Sequence, residues 1–543
     1  MVRSTATLAA AALSLQSVAA VTDVGGAHAC TTDGSTTKCW GYNKWGQLGR
    51  GDNVTIVGDD PDEMGDNLVD VDVGGTVSDL ALGGEHSCAL LDTGDVVCFG
   101  QNDKGQLGLG DKTNRGQTPD SIGEVVDFGS GLTAVAITTG CDHTCGLLDD
   151  GSVKCFGYNN YGQLGQGSTD SQGDDAGEMG DALLAVPLTG TVVAIDAGCD
   201  FTCALMEGGS VMCWGRNTWG QLGTGDSDDR LDGSGLALVA VDLDGSVANA
   251  IASGEGHVCA MLDDSSIKCW GRNNFGQLGQ GDDVDRGQTA DTLGSALLAV
   301  SLGSGKIPVE VDCGSFHTCV LIQEGDVKCF GSNSDGELGN GNFTDVGLLP
   351  TDMGDNLTSV SIDPAQEIAA GGSSTCAVLS DSEIICWGRG NDGQLGQGDD
   401  EDISNLSGVD PLDLGSDTLA PPPTPVKPSS SAYTAPPSLT APSASPTFLT
   451  SDFPPSVAPS PATPQAATSS AAPTAPTATI SIDASSSPTS SSREIDDVTQ
   501  APSPSSSNPD VDAEASGAPA HFSAHLVATV TVVAVGLVGT LFL

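Results

Sequence analysis

Seven cysteine pairs at a nearly fixed interval constrain this chain more than any other feature. The first member of each pair falls at Cys30, Cys88, Cys145, Cys203, Cys259, Cys319 and Cys376, a spacing of 56 to 60 residues. The second member follows nine positions later in the first copy (Cys39) and ten later in the others (Cys98, Cys155, Cys213, Cys269, Cys329 and Cys386). A Gly-Gln-Leu-Gly motif keeps the same step, starting at Gly46, Gly105, Gly162, Gly220, Gly276, Gly336 (with Glu337 for Gln) and Gly393. Repetition at this length means copies of one supersecondary unit, stacked or arranged radially.

Periodicity shows what one unit does. In the second copy Val69, Val71 and Val73 alternate with Asp70 and Asp72, and apolar segments follow at 77–82, 85–91 and 95–99 with glycine-bearing breaks between them. Four short antiparallel strands per copy are expected. Seven such copies predict an all-β fold, a seven-bladed β-propeller of four-stranded blades. Near-equal copies favour closing the ring over an open superhelical stack, because closure removes two exposed ends.

Turn chemistry fixes the register of the cysteines. With Cys88 opposite Cys98, Leu91 faces Asp95 and leaves the loop Asp92-Thr93-Gly94. A three-residue hairpin loop favours glycine last, where the backbone turns left-handed. Gly94, Gly151, Gly209 and Gly325 hold that place. In the first copy the shorter spacing leaves a two-residue loop, Gly34-Ser35, which suits a primed turn. Opposed residues in an antiparallel pair lie within disulfide range, so seven hairpin staples are expected: Cys30–Cys39, Cys88–Cys98, Cys145–Cys155, Cys203–Cys213, Cys259–Cys269, Cys319–Cys329 and Cys376–Cys386. Three of the 17 cysteines remain. Cys141 and Cys199 occupy the same place in neighbouring copies, where a blade-to-blade bond is conceivable, and Cys313 has no evident partner. Zinc at the CxxxC pairs is disfavoured in a disulfide-rich exported chain.

The two ends supply the setting. Residues 1–20 read as a secretory signal, with Arg3, an apolar run and Val18-Ala19-Ala20 before the mature chain. Residues 21–415 hold the repeats. Residues 416–516 form a Ser/Thr/Pro-rich stretch expected to be a disordered, O-glycosylated stalk. Residues 517–543 end in 18 uncharged residues, Leu526–Leu543, and read as a glycolipid-anchor signal or a transmembrane segment. The chain is thus expected at the cell surface, through the secretory pathway, as a monomer. Its 18 Lys+Arg against 72 Asp+Glu give a formal net charge of −54, which excludes a nucleic-acid partner.

The unit GGEHSCALLDTGDVVCFGQNDKGQLGLGD and its six counterparts resemble the repeat of the regulator of chromosome condensation family, through G-x-x-H, the hairpin, C-[W/F]-G-x-N and GQLG, with departures at Phe201, Ser374, Glu337 and Gly390. The resemblance implies a seven-bladed propeller, and the paired cysteines look most like an exported branch. Family members serve as nucleotide exchange factors or as binding discs. The signal segment, cysteines and acidity set the exchange role aside.

No catalytic constellation stands out, and no cofactor or metal motif is found. His28, His86, His143, His257 and His317 share one repeat position, with Phe201 and Ser374 in the other two copies, which points to scaffold. Acidic loops such as GDDPDEMGDN raise calcium, but Arg230 spoils the one EF-hand-like run. Sequons place sugar at Asn53, Asn342, Asn356 and Asn405. The varying positions carry the functional interest. Just before GQLG stand Trp45, Lys104, Tyr161, Trp219, Phe275, Asp335 and Asp392; in G-x-N stand Tyr42, Gln101, Tyr158, Arg216, Arg272 and Ser332, with Arg389 in a departing G-x-G. A binding face built on Tyr158, Tyr161, Arg216, Trp219, Arg272 and Phe275, with Trp45, is expected to take an extracellular protein or glycan without catalysis. The other readings are a structural cell-wall or matrix glycoprotein and, more remotely, a calcium-dependent enzyme.

Overall fold

The computed structural model describes residues 21–415 apart from 120, 232 and 234. The signal segment, the stalk and the C-terminal apolar segment lie outside the described residues. The chain divides near residue 435, and everything described belongs to the first unit. Among the described residues no helix is long and apolar enough to cross a membrane.

Each copy builds one antiparallel sheet of an inner, a middle and an outer strand. In the second copy these are Val77–Leu82, His86–Leu91 and Val96–Gly100. Inner and middle strands slip by one residue at a bulge in copies two to seven, as between Val77 and Asp79. Middle and outer strands pair in the register the turns require. Cys88 faces Cys98, Leu91 N–H donates to Asp95 O, and Gly94 takes φ +82°. In the fifth and seventh copies, Ser265 and Ser382 accept the same left-handed backbone. All seven hairpin disulfides are formed, each with Cα atoms 4.0–4.1 Å apart.

Two expectations are corrected. The blades have three strands, not four, except the first, which adds Ile56–Val57. Elsewhere the fourth strand shrinks to single bridges such as Gly100 with Arg115, and the Val69–Val73 segment pairs with its neighbour through one bridge, Asp70 with Lys38, beside Val71 N–H on Thr37 O. The backbone there bonds sideways instead: Gly51 N–H donates to Gly116 O and Gly110 N–H to Gly173 O, one sheet over. Nor is the expected closure of the ring found: among the described residues no sheet combines strands of the first and seventh copies. The first and seventh sheets keep their own strands and meet side by side, with Gly398 N–H on Gly58 O and Gly65 N–H on Asp413 O.

The apolar core is divided among the seams. One cluster joins Phe201, Leu205 and Val211 of the fourth sheet to Val258, Leu262 and Trp270 of the fifth; another joins Val24 and Trp40 of the first to Val378 and Ile384 of the seventh. A repeated hydrogen-bond set binds these seams. The carbonyl of the Gln in each GQLG accepts from the next sheet. Thr202 Oγ1 and Trp214 Nε1 donate to Gln163 O at 3.1 and 2.9 Å, Trp270 Nε1 to Gln221 O at 3.0 Å, and Trp40 Nε1 to Gln394 O at 2.9 Å.

The repeated histidines complete this set. His143 Nε2 lies 2.9 Å from Thr202 Oγ1, and His28, His86, His257 and His317 meet Ser87, Thr144, Thr318 and Thr375 alike. Because the hydroxyl hydrogen goes to the carbonyl, the imidazole must donate from Nε2. Where His is missing, so is the hydroxyl: Phe201 stands across from Val258, and Ser374 from Ala29. The ring is scaffold.

Replacing Thr202 by Val keeps the shape but strips Gln163 O of one donor and His143 of its acceptor. The variant should lose about 1–3 kcal/mol of stability in denaturant unfolding. Burial holds the five imidazoles neutral, with pKa about 3 for His28, His86 and His257 and about 4 for His143 and His317. The unfolded chain binds protons near pH 6.5 that the fold refuses. The histidine contribution is therefore intact above pH 6.5 and falls away as pH drops towards 3–4. His257→Phe together with Thr318→Val, copying the natural Phe201–Val258 pair, should lessen that acid loss in unfolding titrations.

Candidate functional site

The loop that ends each unit is held rigidly while one side chain in it varies. Asn217 Oδ1 accepts Leu222 N–H at 3.0 Å, and Gln221 Oε1 accepts Trp219 N–H at 2.9 Å. The same pair of bonds fixes Tyr161 and Phe275. The position in G-x-N is fixed as well, by Arg216 N–H on Asp200 O and Arg272 N–H on Gly256 O. Constant backbone with variable side chains makes this end of the blades a display face.

Copies three to six display one continuous ladder. Tyr158 and Tyr161 meet edge to face at 6.4 Å. The Arg216 guanidinium lies 4.9 Å from the Tyr161 ring and 4.7 Å from the Trp219 ring. Arg272 lies 4.7 Å from Trp219 and 4.7 Å from Phe316, and Phe316 packs on Phe275 at 5.5 Å. Carboxylates orient the cations: Asp200 on Arg216 at 3.0 Å and Glu255 on Arg272 at 3.5 Å. Stacked cation–π contacts of this kind are worth about 0.5–1 kcal/mol each at a partly exposed site. Every member is partly exposed.

Six expected residues are thus brought together, and Trp45 is not. It stands in the first copy with Lys44 4.5 Å over its ring. Sequence reasoning missed Phe316, Asp200, Glu255 and Gly256. Gly256 opens the seam, since a Cβ there would meet Trp219 Cε3 at 2.8 Å. The position before the repeated His holds Ala27, Glu85, Asp142, Asp200, Gly256, Phe316 and Ser373, a third varying column that would have flagged all but Glu255.

The inner strands surround a channel with a cavity of about 340 Å³, lined among others by Asp23, Asp79, Asp196, Asp312 and Glu255. Carboxylates here bond backbone across the seams: Asp23 accepts Leu82 N–H at 2.8 Å, Asp312 accepts Ala370 N–H at 2.7 Å, and Glu367 accepts Thr22 N–H at 3.0 Å. Among the described residues Asp23, Asp79, Asp196 and Asp312 form no ion pair, whereas Glu255 pairs with Arg272. Burial raises Asp196 to about 7, and burial with Asp312 and Glu367 nearby raises Glu310 to about 8.

Other chemical clusters resolve into scaffold. Glu63 caps its acidic loop by accepting Gly58 N–H, and Glu178 accepts the N–H groups of Gly173, Asp174 and Asp175. His257, Cys259 and Cys313 lie close together, but Cys259 is held in its staple. Cys141 and Cys199 form an eighth disulfide, and Cys313 is a buried thiol.

Three-stranded sheets repeated seven times about a channel, with constant seams and a variable face, define a β-propeller built of one repeating blade. A profile of the RCC1-like domain matches residues 129–434, and RCC1 repeat profiles match 77–106 and 93–147. The chain belongs to the RCC1-like family. It is 30% identical over 329 residues to the ultraviolet-B receptor UVR8 of Arabidopsis thaliana, covering 60% of this chain and 67% of that one. It is also 30% identical over 296 residues to the human E3 ubiquitin-protein ligase HERC2, but spans 6% of its length, so the ligase activity in that name is not carried over. Yeast RCC1 (Prp20), solved with Kap60, superposes with a TM-score of 0.55 at 21% identity, over 73% of this chain and 85% of that one. Human WBSCR16 does so at 0.52 and 20%, over 67% and 92%. At such identities the structures speak to the fold alone.

Glu310 carries a testable charge cost. Its pKa is raised on folding, so its contribution is present in acid and is lost as pH climbs from about 4.5 to about 8. Glu310→Gln should match wild type at pH 4 and exceed its stability at pH 8.5 by on the order of 1–3 kcal/mol, read by urea unfolding at both pH values.

Proposed function

We propose that this chain is a non-catalytic binding module of the cell surface, and that the ladder sector of copies three to six engages an extracellular protein. The observation that carries the reading is the ladder itself: stacked aromatic and arginine side chains on fixed backbone, the residue types that dominate binding hot spots. Eight disulfides suit an exported domain. Together with the leader-like first 20 residues and the apolar C-terminal segment, they support anchorage at the surface. A protein partner is favoured over a glycan. Both guanidiniums lie over the Trp219 ring, which leaves little open ring face for a sugar to stack on.

Charge narrows the partner. Residues 21–415 carry 15 basic against 63 acidic side chains, so a basic protein surface is attracted and an anionic one repelled. The four sequons fit the same sector. Asn53, Asn342, Asn356 and Asn405 are exposed and belong to copies one, six and seven, so sugar there leaves copies three to five uncovered. Those sequons and the Ser/Thr/Pro-rich stretch also favour a second reading, a structural wall or matrix glycoprotein.

Affinity capture with the soluble disc, residues 21–415, separates the two. A specific receptor should be retained by wild type and lost by at least about tenfold with Trp219→Ala or Arg272→Ala. Capture that ignores both substitutions would refute the sector, and retention by bulk wall material alone would favour the structural reading.

A further inference from the structure

We propose that the Cys141–Cys199 disulfide is a thiol-exchange site at the channel mouth, selective for neutral or cationic thiols, while the seven hairpin staples are closed to exchange. The first observation is access. The hairpin cysteines are at most 4% exposed. Cys141 and Cys199 are partly exposed and line the channel cavity. Exposed disulfides are the ones external thiolates can reach.

The second observation is that the fold does not depend on this bond. It joins the inner turns of the third and fourth sheets. Turns at other seams are joined by backbone bonds with no disulfide: Gly26 N–H on Gly83 O, Gly84 N–H on Cys141 O, Glu255 N–H on Ser315 O and Ser315 N–H on Gly372 O. The third-to-fourth seam has the same kind of bond, Cys141 N–H on Cys199 O. It also keeps the Thr202 and Trp214 donors to Gln163 O. Opening the disulfide therefore leaves this seam bonded like its neighbours. The hairpin pairs, by contrast, sit within the packed seams.

The nucleophile comes from outside. Cys313, the free thiol among the described residues, is buried, and burial holds it protonated. An external thiolate attacks Sγ of Cys141 or Cys199, the S–S bond breaks, a mixed disulfide forms and the other sulfur leaves as thiolate. A second external thiolate releases that sulfur too, and the two external thiols depart as their own disulfide. Charge sets the class of thiol. Asp142 and Asp200 directly follow the two cysteines, with Glu85, Asp103 and Glu255 near them, five carboxylates against the three cations Lys104, Arg216 and Arg272. An anionic thiol is repelled at this mouth.

The test treats the full chain under native conditions with increasing cysteamine, mercaptoethanol or glutathione, compared at equal thiolate concentration. Isotope-coded alkylation and peptide mapping then read each cysteine. Cys141 and Cys199 should label first, with the hairpin pairs intact, and cysteamine should outpace glutathione by about tenfold at low salt, a ratio that shrinks as salt rises. A hairpin pair that labels as early, or labelling of Cys141 and Cys199 only on global unfolding, would overturn the site. Equal rates for the two thiols at low salt would overturn the selectivity. A Cys141→Ser, Cys199→Ser double variant should lose the early labelling step and keep its circular dichroism; an early step that persists would put the site elsewhere. If the variant fails to fold, its loss of structure contradicts the dispensable bond.

Discussion

Each seam of this molecule turns on one carbonyl oxygen, that of the Gln or Glu in the closing motif. It accepts from a hydroxyl of the next sheet (Ser87, Thr144, Thr202, Thr318, Thr375), from an indole (Trp40, Trp214, Trp270, Trp387), or from both. A three-stranded sheet cannot bury both of its faces alone, so each copy owes its core to its neighbours. Apolar packing across a seam is non-directional. The carbonyl supplies the direction, because its donors reach it only when the next sheet sits at one height and angle. The buried imidazoles extend the same bond by one group. They stay neutral because their environment rejects charge, and because Nε2 has an acceptor.

This explains which parts of the fold were legible in sequence. The hairpins were legible because two local facts, a cysteine spacing of ten and a glycine at the left-handed turn position, had to agree. The strand bounds 77–82, 86–91 and 96–100 followed closely. The fourth strand was misread because Val69, Val71 and Val73 do alternate, and Val71 and Val73 are buried. Alternation reports which side faces the core; it says nothing of where the backbone bonds go. Here the backbone meets the outer strand of the first sheet only around Asp70, by the Lys38 bridge and Val71 N–H on Thr37 O, which one repeat read alone does not reveal. The seam code was present too: Phe201 with Val258, and Ser374 with Ala29, mark the two seams where imidazole and hydroxyl are absent together.

The candidate site was half legible for a related reason. Two varying columns named the six residues that the structure brings together, since positions free of scaffold duty stand out against a strict repeat. The third column mixes Ala27, Gly256 and Ser373 with Glu85, Asp142, Asp200 and Phe316, so no one residue type marks it. Its members matter through what they touch. Gly256 is the vacancy that lets Trp219 lean across the seam onto Arg272, and Phe316 closes the far end of the ladder.

The same division of labour accounts for the acidity. Carboxylates that bond neighbouring backbone inside the channel cannot also find cations, so burial and mutual repulsion lift their pKa values. The molecule tolerates that cost because the seams are held independently, by neutral bonds to the Gln carbonyl. Display positions are freer still. The bonds to the Gln carbonyl do not involve the side chain of residue 219 or 272, so in other copies Lys104 or Asp335 can stand before the motif and Gln101 or Ser332 in G-x-N without breaking them. The ladder's own contacts contribute about 0.5–1 kcal/mol each, and its place on positions the scaffold leaves free is what supports the proposed binding sector.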